Sequence, residues 1–162
     1  MLRHLAATLA YRAAKVLRDV PPEFGTSSFG AATRTPVRIL GHMGDLMTWA
    51  VSMTRGDSIW KAEGGDDWNV EVGRFFAGLA AFDDALARGH LAEGAGEKLI
   101  QGPLADALTH VGQLAMLRGM AGVPVRPESY ARADIAVGRV GADQAPPGRE
   151  FDGDASVARP PK

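Results

Sequence analysis

The chain has 162 residues, which is about the size of one domain. Hydrophobic residues make up 46% and charged residues 23%, close to the averages of soluble globular proteins, so the composition does not indicate a disordered or fibrous chain. Eighteen basic against nineteen acidic residues argue against an electrostatic nucleic-acid or membrane-surface binder, and the lack of cysteine excludes disulfides, thiolate metal sites and a cysteine nucleophile.

The beginning of the chain suggests where the protein works. No apolar run approaches the ~20 residues that a membrane-spanning helix needs. Arg3, Arg12, Lys15 and Arg18 interrupt the first twenty residues, where a signal peptide would need an unbroken apolar stretch. We therefore expect a cytoplasmic protein with neither a membrane nor a nucleic acid among its partners.

Apolar residues at helical spacing predict two helices in the first third of the chain. The first amphipathic stripe covers residues 5–20, and the prolines at 21–22 end it because a proline cannot continue the backbone hydrogen-bond ladder. The second helix begins at Thr35 and Pro36, since a threonine hydroxyl can cap a helix and proline suits the first helical position. It ends near Gly56.

A third amphipathic stripe covers residues 72–86. Asp67 or Asn69 is expected to cap the start of this helix, and Gly89 to cap its end. The segment that follows is rich in glycine and ambiguous: it favours a loop, although residues 98–100 fit one short helical turn.

The Gly-Pro pair at 102–103 predicts the start of a fourth helix, which runs to Gly122. After it we expect a helical turn and an extended piece at 135–137 that packs on the helices. Four amphipathic helices bury their apolar faces by packing together, so the predicted fold is all-α: a four-helix bundle with an irregular C-terminal segment. The bundle domain then covers residues 1–141, and a tail rich in proline and glycine covers 142–162.

Three residues lie within or beside the apolar stripes and can bind a metal. Asp106 and His110 are one turn apart on the fourth helix, and His42 lies on the second, so facing helices offer three ligands. Imidazole and carboxylate groups suit Zn²⁺, Fe²⁺, Ni²⁺ or Mn²⁺. Three protein ligands leave a position open for water or substrate, as in a catalytic site. The pattern predicts such a metal site.

Each of these residues also has a simpler interpretation. A histidine on an apolar helix face is often a hydrogen-bonded residue of the core or its rim, which fits His42 and His110 alike. Asp106 lies near the start of a helix, where the helix dipole favours a carboxylate. The joint occurrence of all three on helices that can be neighbours favours the metal site.

Three further residues are candidates for the surroundings of the metal. Asp45, three residues after His42, either fixes the orientation of that ring or is a solvated carboxylate. Gln113 either binds a ligand or lies on the rim of the bundle, and Trp49 either belongs to the core or forms the wall of a pocket. We expect the acidic pair at 83–84 on a solvated face.

The strings TPVRILGHMGDLMTW and PLADALTHVGQLAMLRGMAG resemble the DinB/YfiT-like superfamily of four-helix metalloproteins, over residues 1–122. Members carry a histidine on the second helix and a His-xxx-His or Glu-xxx-His pair late in the bundle, often continued by Gly-Gln. The resemblance implies that His42, Asp106 and His110 are metal ligands. The Gly-Gln continuation after His110 is found at residues 112–113. Asp106 is one methylene shorter than the glutamate of the maleylpyruvate isomerase-like branch, so direct ligation, ligation through water and no ligation all stay open.

The resemblance also implies a reaction class. Several branches look like thiol S-transferases or isomerases in which a metal holds mycothiol, bacillithiol or glutathione. We therefore expect a divalent metal as cofactor (Zn, Ni, Fe or Mn) and a small-molecule substrate or low-molecular-weight thiol as partner, with no further catalytic residue assigned. The alternative is a non-catalytic helical-bundle binding or dimerisation module that has lost the metal chemistry, as the change to Asp106 suggests. A homodimer formed through outer helix faces is compatible with both.

Overall fold

The computed structural model describes residues 1–151, which form helices joined by loops. The helices are α1 (Leu2–Leu17), α2 (Pro36–Thr54), α3 (Trp68–Ala87), the short α4 (Ala95–Leu99) and α5 (Ala105–Met120). Within these residues there is no strand, and a single isolated bridge joins Glu128 to Glu150. The predicted all-α, four-helix architecture is confirmed by the four long helices α1, α2, α3 and α5. No helix in this part of the chain is long and apolar enough to span a bilayer.

All four long helices contribute to one apolar core. Its largest fully buried side chains include Leu9, Leu40, Met43, Phe75, Phe82 and Leu114. Two glycines, one on each helix, leave room for side chains where α2 packs on α3. A methyl group at Gly44 would lie 2.7 Å from the guanidinium carbon of Arg74, and one at Gly78 would lie 2.7 Å from Cβ of Met47. The absence of a side chain at these positions therefore sets how closely α2 packs on α3.

The first helix ends three residues earlier than its apolar stripe predicts. After Leu17, Arg18 is extended and Asp19 has a φ of +54°. The guanidinium of Arg118 on α5 donates hydrogen bonds to the carbonyl oxygens of Val16 (3.1 Å) and Arg18 (2.7 Å). Since carbonyls at a helix end need such donors, a distant arginine stabilises this end of α1 before the prolines are reached.

The capping predictions for α2 and α3 have different outcomes. Pro36 occupies the first turn of α2 as predicted, but the hydroxyl of Thr35 makes no capping hydrogen bond. Asp67 is the N-cap of α3, where its carboxylate accepts from the N–H of Val70 at 3.0 Å. Gly89 follows α3 with a φ of +78°, the left-handed conformation that glycine adopts at helix ends.

The start of the fourth long helix differs from the prediction. Residues 95–99 form α4, and a π-helical turn over Ile100–Leu104 joins it to α5, so the glycine-rich segment is more helical than expected. Gly102 leaves the helical region with φ −93° and ψ −107°, which produces a kink just before Pro103. The continuous α-helix therefore begins at Ala105 rather than at the Gly-Pro pair.

The segment after α5 is attached to α1 by a buried carboxylate. Glu128 accepts hydrogen bonds from the hydroxyl of Tyr11 (2.7 Å), from Nζ of Lys15 (2.8 Å) and from the N–H of Gly148 (3.2 Å). Lys15 also pairs with Glu150 at 2.8 Å. Burial raises the pKa of Glu128, but the hydrogen bonds from Lys15 and Tyr11 outweigh this effect and hold the pKa below its usual value.

The expectations for the C-terminal segment are met in part. A short 3-10 turn at Tyr130–Arg132 follows the helices, as the predicted helical turn requires. Ile135 is partly buried against the core and Ala136 is also partly buried, whereas Val137 is 51% exposed, so the predicted apolar piece packs on the helices through its first two residues. Of the predicted tail, residues 152–162 lie outside the described residues.

Candidate metal centre

Two helices bring the three predicted ligands together. His42 lies on the second turn of α2, Asp106 lies on the first turn of α5, and His110 follows one turn later. A nitrogen of each imidazole and an oxygen of the carboxylate all lie within 4.8 Å of one another. The convergence predicted for a histidine and an i, i+4 pair on facing helices is therefore present.

The individual distances resemble those between ligands of one ion. Nε2 of His42 lies 3.3 Å from Oδ2 of Asp106, and Nε2 of His110 lies 3.4 Å from Oδ1 of the same carboxylate. In a tetrahedral site with bonds of about 2.0–2.2 Å, neighbouring ligand atoms are about 3.3–3.5 Å apart. The donor set, with two imidazole nitrogens and one carboxylate, thus has the chemistry of a divalent-cation site, and its ligand atoms lie close enough to share one ion.

The three side chains are buried to different degrees. The side chain of His110 is 11% exposed, that of His42 is 23% exposed and that of Asp106 is 46% exposed. All three line a cavity of about 530 Å³ that opens to solvent. The imidazoles are therefore held by helix packing, while the carboxylate side of the group is accessible to a ligand.

Gln113 fixes the orientation of the more buried imidazole. Its Oε1 lies 2.7 Å from Nδ1 of His110, one turn along α5. An amide oxygen accepts a hydrogen bond from Nδ1–H, and in the neutral ring this arrangement leaves the lone pair on Nε2, the nitrogen that lies 3.4 Å from Asp106. An imidazole binds a metal in this form. Gln113 is exposed and lines the cavity, a position compatible with both of its expected roles, and its contact with His110 adds a role in orienting the ring.

Two tryptophans cover the other side of His42. The ring of Trp60 packs edge-on against His42 with centroids 5.4 Å apart, and against Trp49 with centroids 5.8 Å apart. The indole N–H of Trp49 donates to the hydroxyl of Ser58 at 3.1 Å. Trp49 is partly buried against the core, which was one of its two expected roles, and it is connected to His42 through Trp60. Trp60 was not anticipated.

The loop that carries Trp60 is attached to α2 and α3 by a polar network. Arg74 donates to Asp45 at 2.8 Å and to Glu71 at 2.7 Å. The same carboxylates accept backbone N–H groups of the loop, from Glu63 to Asp45 (3.0 Å) and from Gly65 to Glu71 (2.7 Å). Each carboxylate therefore joins the loop to the α3 arginine.

This network gives Asp45 neither of its expected roles. Its carboxylate is 6% exposed and bound to Arg74 and the loop, so it neither orients the His42 ring nor faces solvent. Burial lowers the pKa of Arg74, but the hydrogen bonds to Glu71 and Asp45 outweigh this effect and raise the pKa above its ordinary value. Arg74 also donates to the carbonyl oxygen of Gly41. Asp45 therefore supports the site through the loop.

The two acidic residues at positions 83 and 84 of α3 have different surroundings. Asp83 is buried and accepts two hydrogen bonds of 2.9 Å from Arg3, so its expected solvated position is wrong. Asp84 is 56% exposed and pairs with Arg88 on the same helix, as expected of a solvated face. The ion pair to α1 could not be found from the local sequence, because its two residues lie 80 positions apart.

Comparisons with protein-family models, with curated proteins and with solved structures find no match to this chain. The site therefore has to be interpreted from its own geometry. Sequence reasoning also missed Thr33 and Arg34, which line the cavity next to the metal-ligand group. Both lie in the loop before α2, where there is no periodic pattern to indicate the direction of a side chain.

Proposed function

We propose that the chain binds a divalent cation through Nε2 of His42, Nε2 of His110 and the carboxylate of Asp106. The observation that carries this proposal is the convergence of the three side chains, whose ligand atoms all lie within 4.8 Å of one another. The contact of 2.7 Å between Gln113 and Nδ1 of His110 supports it, because a hydrogen bond from the far nitrogen is the usual support of a metal-binding histidine.

The proposed site leaves room for a fourth ligand. Three protein ligands with one open position are typical of catalytic rather than structural zinc sites. The open position would face the cavity, because the exposed carboxylate of Asp106 lies on that side. Nitrogen and oxygen ligands suit Zn²⁺, Ni²⁺, Fe²⁺ or Mn²⁺.

This arrangement supports a metal-dependent transferase or isomerase acting on a small molecule, with a low-molecular-weight thiol as co-substrate. Coordination to a divalent cation lowers the pKa of a bound water or thiol, which makes it a nucleophile near neutral pH. The chain has no cysteine, so any thiol has to come from a ligand. The DinB/YfiT-like superfamily remains the proposed family, supported by the four-helix architecture and by the converging histidines and aspartate.

The alternative, a non-catalytic binding or dimerisation module, has one observation in its favour. An apolar cavity of about 540 Å³ is lined by Met1, Leu2, Leu86, Leu91 and Ile100, where α1, α3 and α4 meet. Met1 and Leu91 are exposed there, and burying such a surface would favour association. This function does not need a metal, so the metal content of the protein separates the two proposals.

The test is the metal content of protein purified without a histidine tag. Wild-type protein should retain stoichiometric metal after dialysis, measured by inductively coupled plasma mass spectrometry, and His42→Ala and His110→Ala should lose most of it. His90→Ala is the matched control, because His90 is exposed beyond the end of α3 and away from the cavity. Equal metal content in the wild type and in both cavity variants would refute the metal site.

A further inference from the structure

The cavity next to the proposed metal carries an arginine that its surroundings do not neutralise. Arg34 lies in the loop two residues before α2, is exposed, and lines the cavity together with His42 and Asp106. Within residues 1–151 no ion pair engages it, whereas Arg38 four residues later pairs with Asp66 at 2.8 Å. Arg34 is therefore a cation at the cavity mouth that is available to a ligand.

Part of the wall of the same cavity is apolar. Ile39 on α2 and Leu117 on α5 are almost fully buried and present their side chains to the cavity. Met116 also lines it and is 62% exposed, and its unbranched thioether can adapt to differently shaped ligands. A ligand that reaches from Arg34 to the metal would pass along this apolar surface.

With a divalent cation bound, the balance of charge in the cavity would favour an anion. Asp106 is the one acidic residue among those that line it, and Arg34 alone matches its charge. A bound divalent cation would make the cavity positive. A guanidinium binds a carboxylate through two parallel hydrogen bonds, a geometry that a lysine cannot reproduce.

We propose that this cavity binds a small carboxylate with an apolar body, with the carboxylate on Arg34 and the body along Ile39, Met116 and Leu117. A second polar atom of the ligand would reach the metal, and this last contact rests on the function proposed above. The volume of about 530 Å³ is within the 300–1,000 Å³ typical of small-molecule sites. Arg34 thereby determines specificity for an anionic ligand.

Calorimetric titration with hexanoate tests the proposal, with hexan-1-ol and acetate as probes that each lack one of the two features. The protein is the full chain, loaded with Zn²⁺ or stripped with a chelator. Wild-type protein should bind hexanoate more tightly than either other probe. Arg34→Gln should weaken hexanoate binding about ten- to a hundredfold, the loss expected for a charge-assisted pair of hydrogen bonds, and should leave Zn²⁺ content unchanged. Arg34→Lys should recover part of the affinity.

Arg55→Gln is the matched control. It removes the same charge at the other end of α2, a 19-residue helix and therefore about 28 Å away, and it should not change hexanoate affinity. If Arg34→Gln binds hexanoate as the wild type does, or if the wild type prefers hexan-1-ol, the ligand proposal is overturned while the metal site stands. If the protein binds no metal but hexanoate binding still depends on Arg34, the metal site fails and the ligand proposal stands.

Discussion

The hydrogen bond between Gln113 and His110 provides the sharpest test of the metal site. Gln113 is exposed, so replacing it by leucine removes the acceptor for Nδ1 without removing a core side chain. His110 would then be free to rotate or to move its proton to Nε2, where it blocks metal binding. Loss of such a supporting contact costs about ten- to a hundredfold in metal affinity, or about 1.4–2.7 kcal/mol.

The assay is a competition titration of Zn²⁺ between the protein and a chromophoric chelator, with urea unfolding of the metal-free protein as a check on stability. Gln113→Leu should weaken Zn²⁺ binding and leave the free energy of unfolding close to that of the wild type. Gln101→Leu makes the same change at an exposed glutamine before α5 and should alter neither quantity.

Gln113→Glu separates this explanation from a general effect of substitution. A glutamate side chain can accept the Nδ1 proton at the same place, and a carboxylate partner increases the basicity of a metal-binding imidazole. Gln113→Glu should therefore bind Zn²⁺ at least as tightly as the wild type. If it binds as weakly as Gln113→Leu, the assignment of the proton to Nδ1 of His110 is wrong.

Three further predictions concern stability and the tryptophan beside the site. Glu128→Gln removes one of two carboxylates that pair with buried Lys15 and should cost about 3 kcal/mol in urea unfolding. Because the pKa of Glu128 is lowered by folding, wild-type stability should fall as the pH drops through that lowered value, and equal acid sensitivity in Glu128→Gln would contradict this. Gly44→Ala should lower the free energy of unfolding by about 1–3 kcal/mol, because the added methyl group meets the guanidinium of Arg74. Gly112→Ala has open space around the added methyl group and should raise the free energy of unfolding by about 0.5–1 kcal/mol. A change of the same sign in both variants would contradict the packing argument. Zn²⁺ should change the tryptophan emission of the wild type, and Trp60→Ala should lose most of that response while still binding Zn²⁺.

The sequence predicted the helices well wherever local features determine them. Spacing of apolar residues located all four long helices, and Asp67 was one of two candidates for the cap of α3. Two boundaries were misplaced. The end of α1 depends on Arg118, a hundred residues away, and this contact leaves no periodic signal in the nearby sequence. The start of α5 depends on the local kink at Gly102, where the Gly-Pro pair interrupts a longer helical segment rather than beginning one.

The ligand group could be predicted because its geometry is largely helical. An i, i+4 spacing fixes Asp106 relative to His110, and only the position of His42 needed the correct pairing of two helices. Trp60 and Arg34 could not be predicted, because each lies in a loop. The path of the loop that carries Trp60 is set by the network around Arg74, whose members come from α2, α3 and the loop itself.

The charged groups of this protein divide into two kinds, and the difference supports the proposed site. Where a carboxylate is buried, the chain supplies its cation: Glu128 meets Lys15, Asp45 meets Arg74, and Asp83 meets Arg3. Among residues 1–151, no lysine or arginine forms an ion pair with Asp106, and its neighbours are two imidazoles, one of which contacts the amide of Gln113. The first kind of cluster completes itself on folding. In our proposal the second would be completed by a cation from solution, so a change at Gln113 should alter metal affinity while one at Glu128 should alter stability.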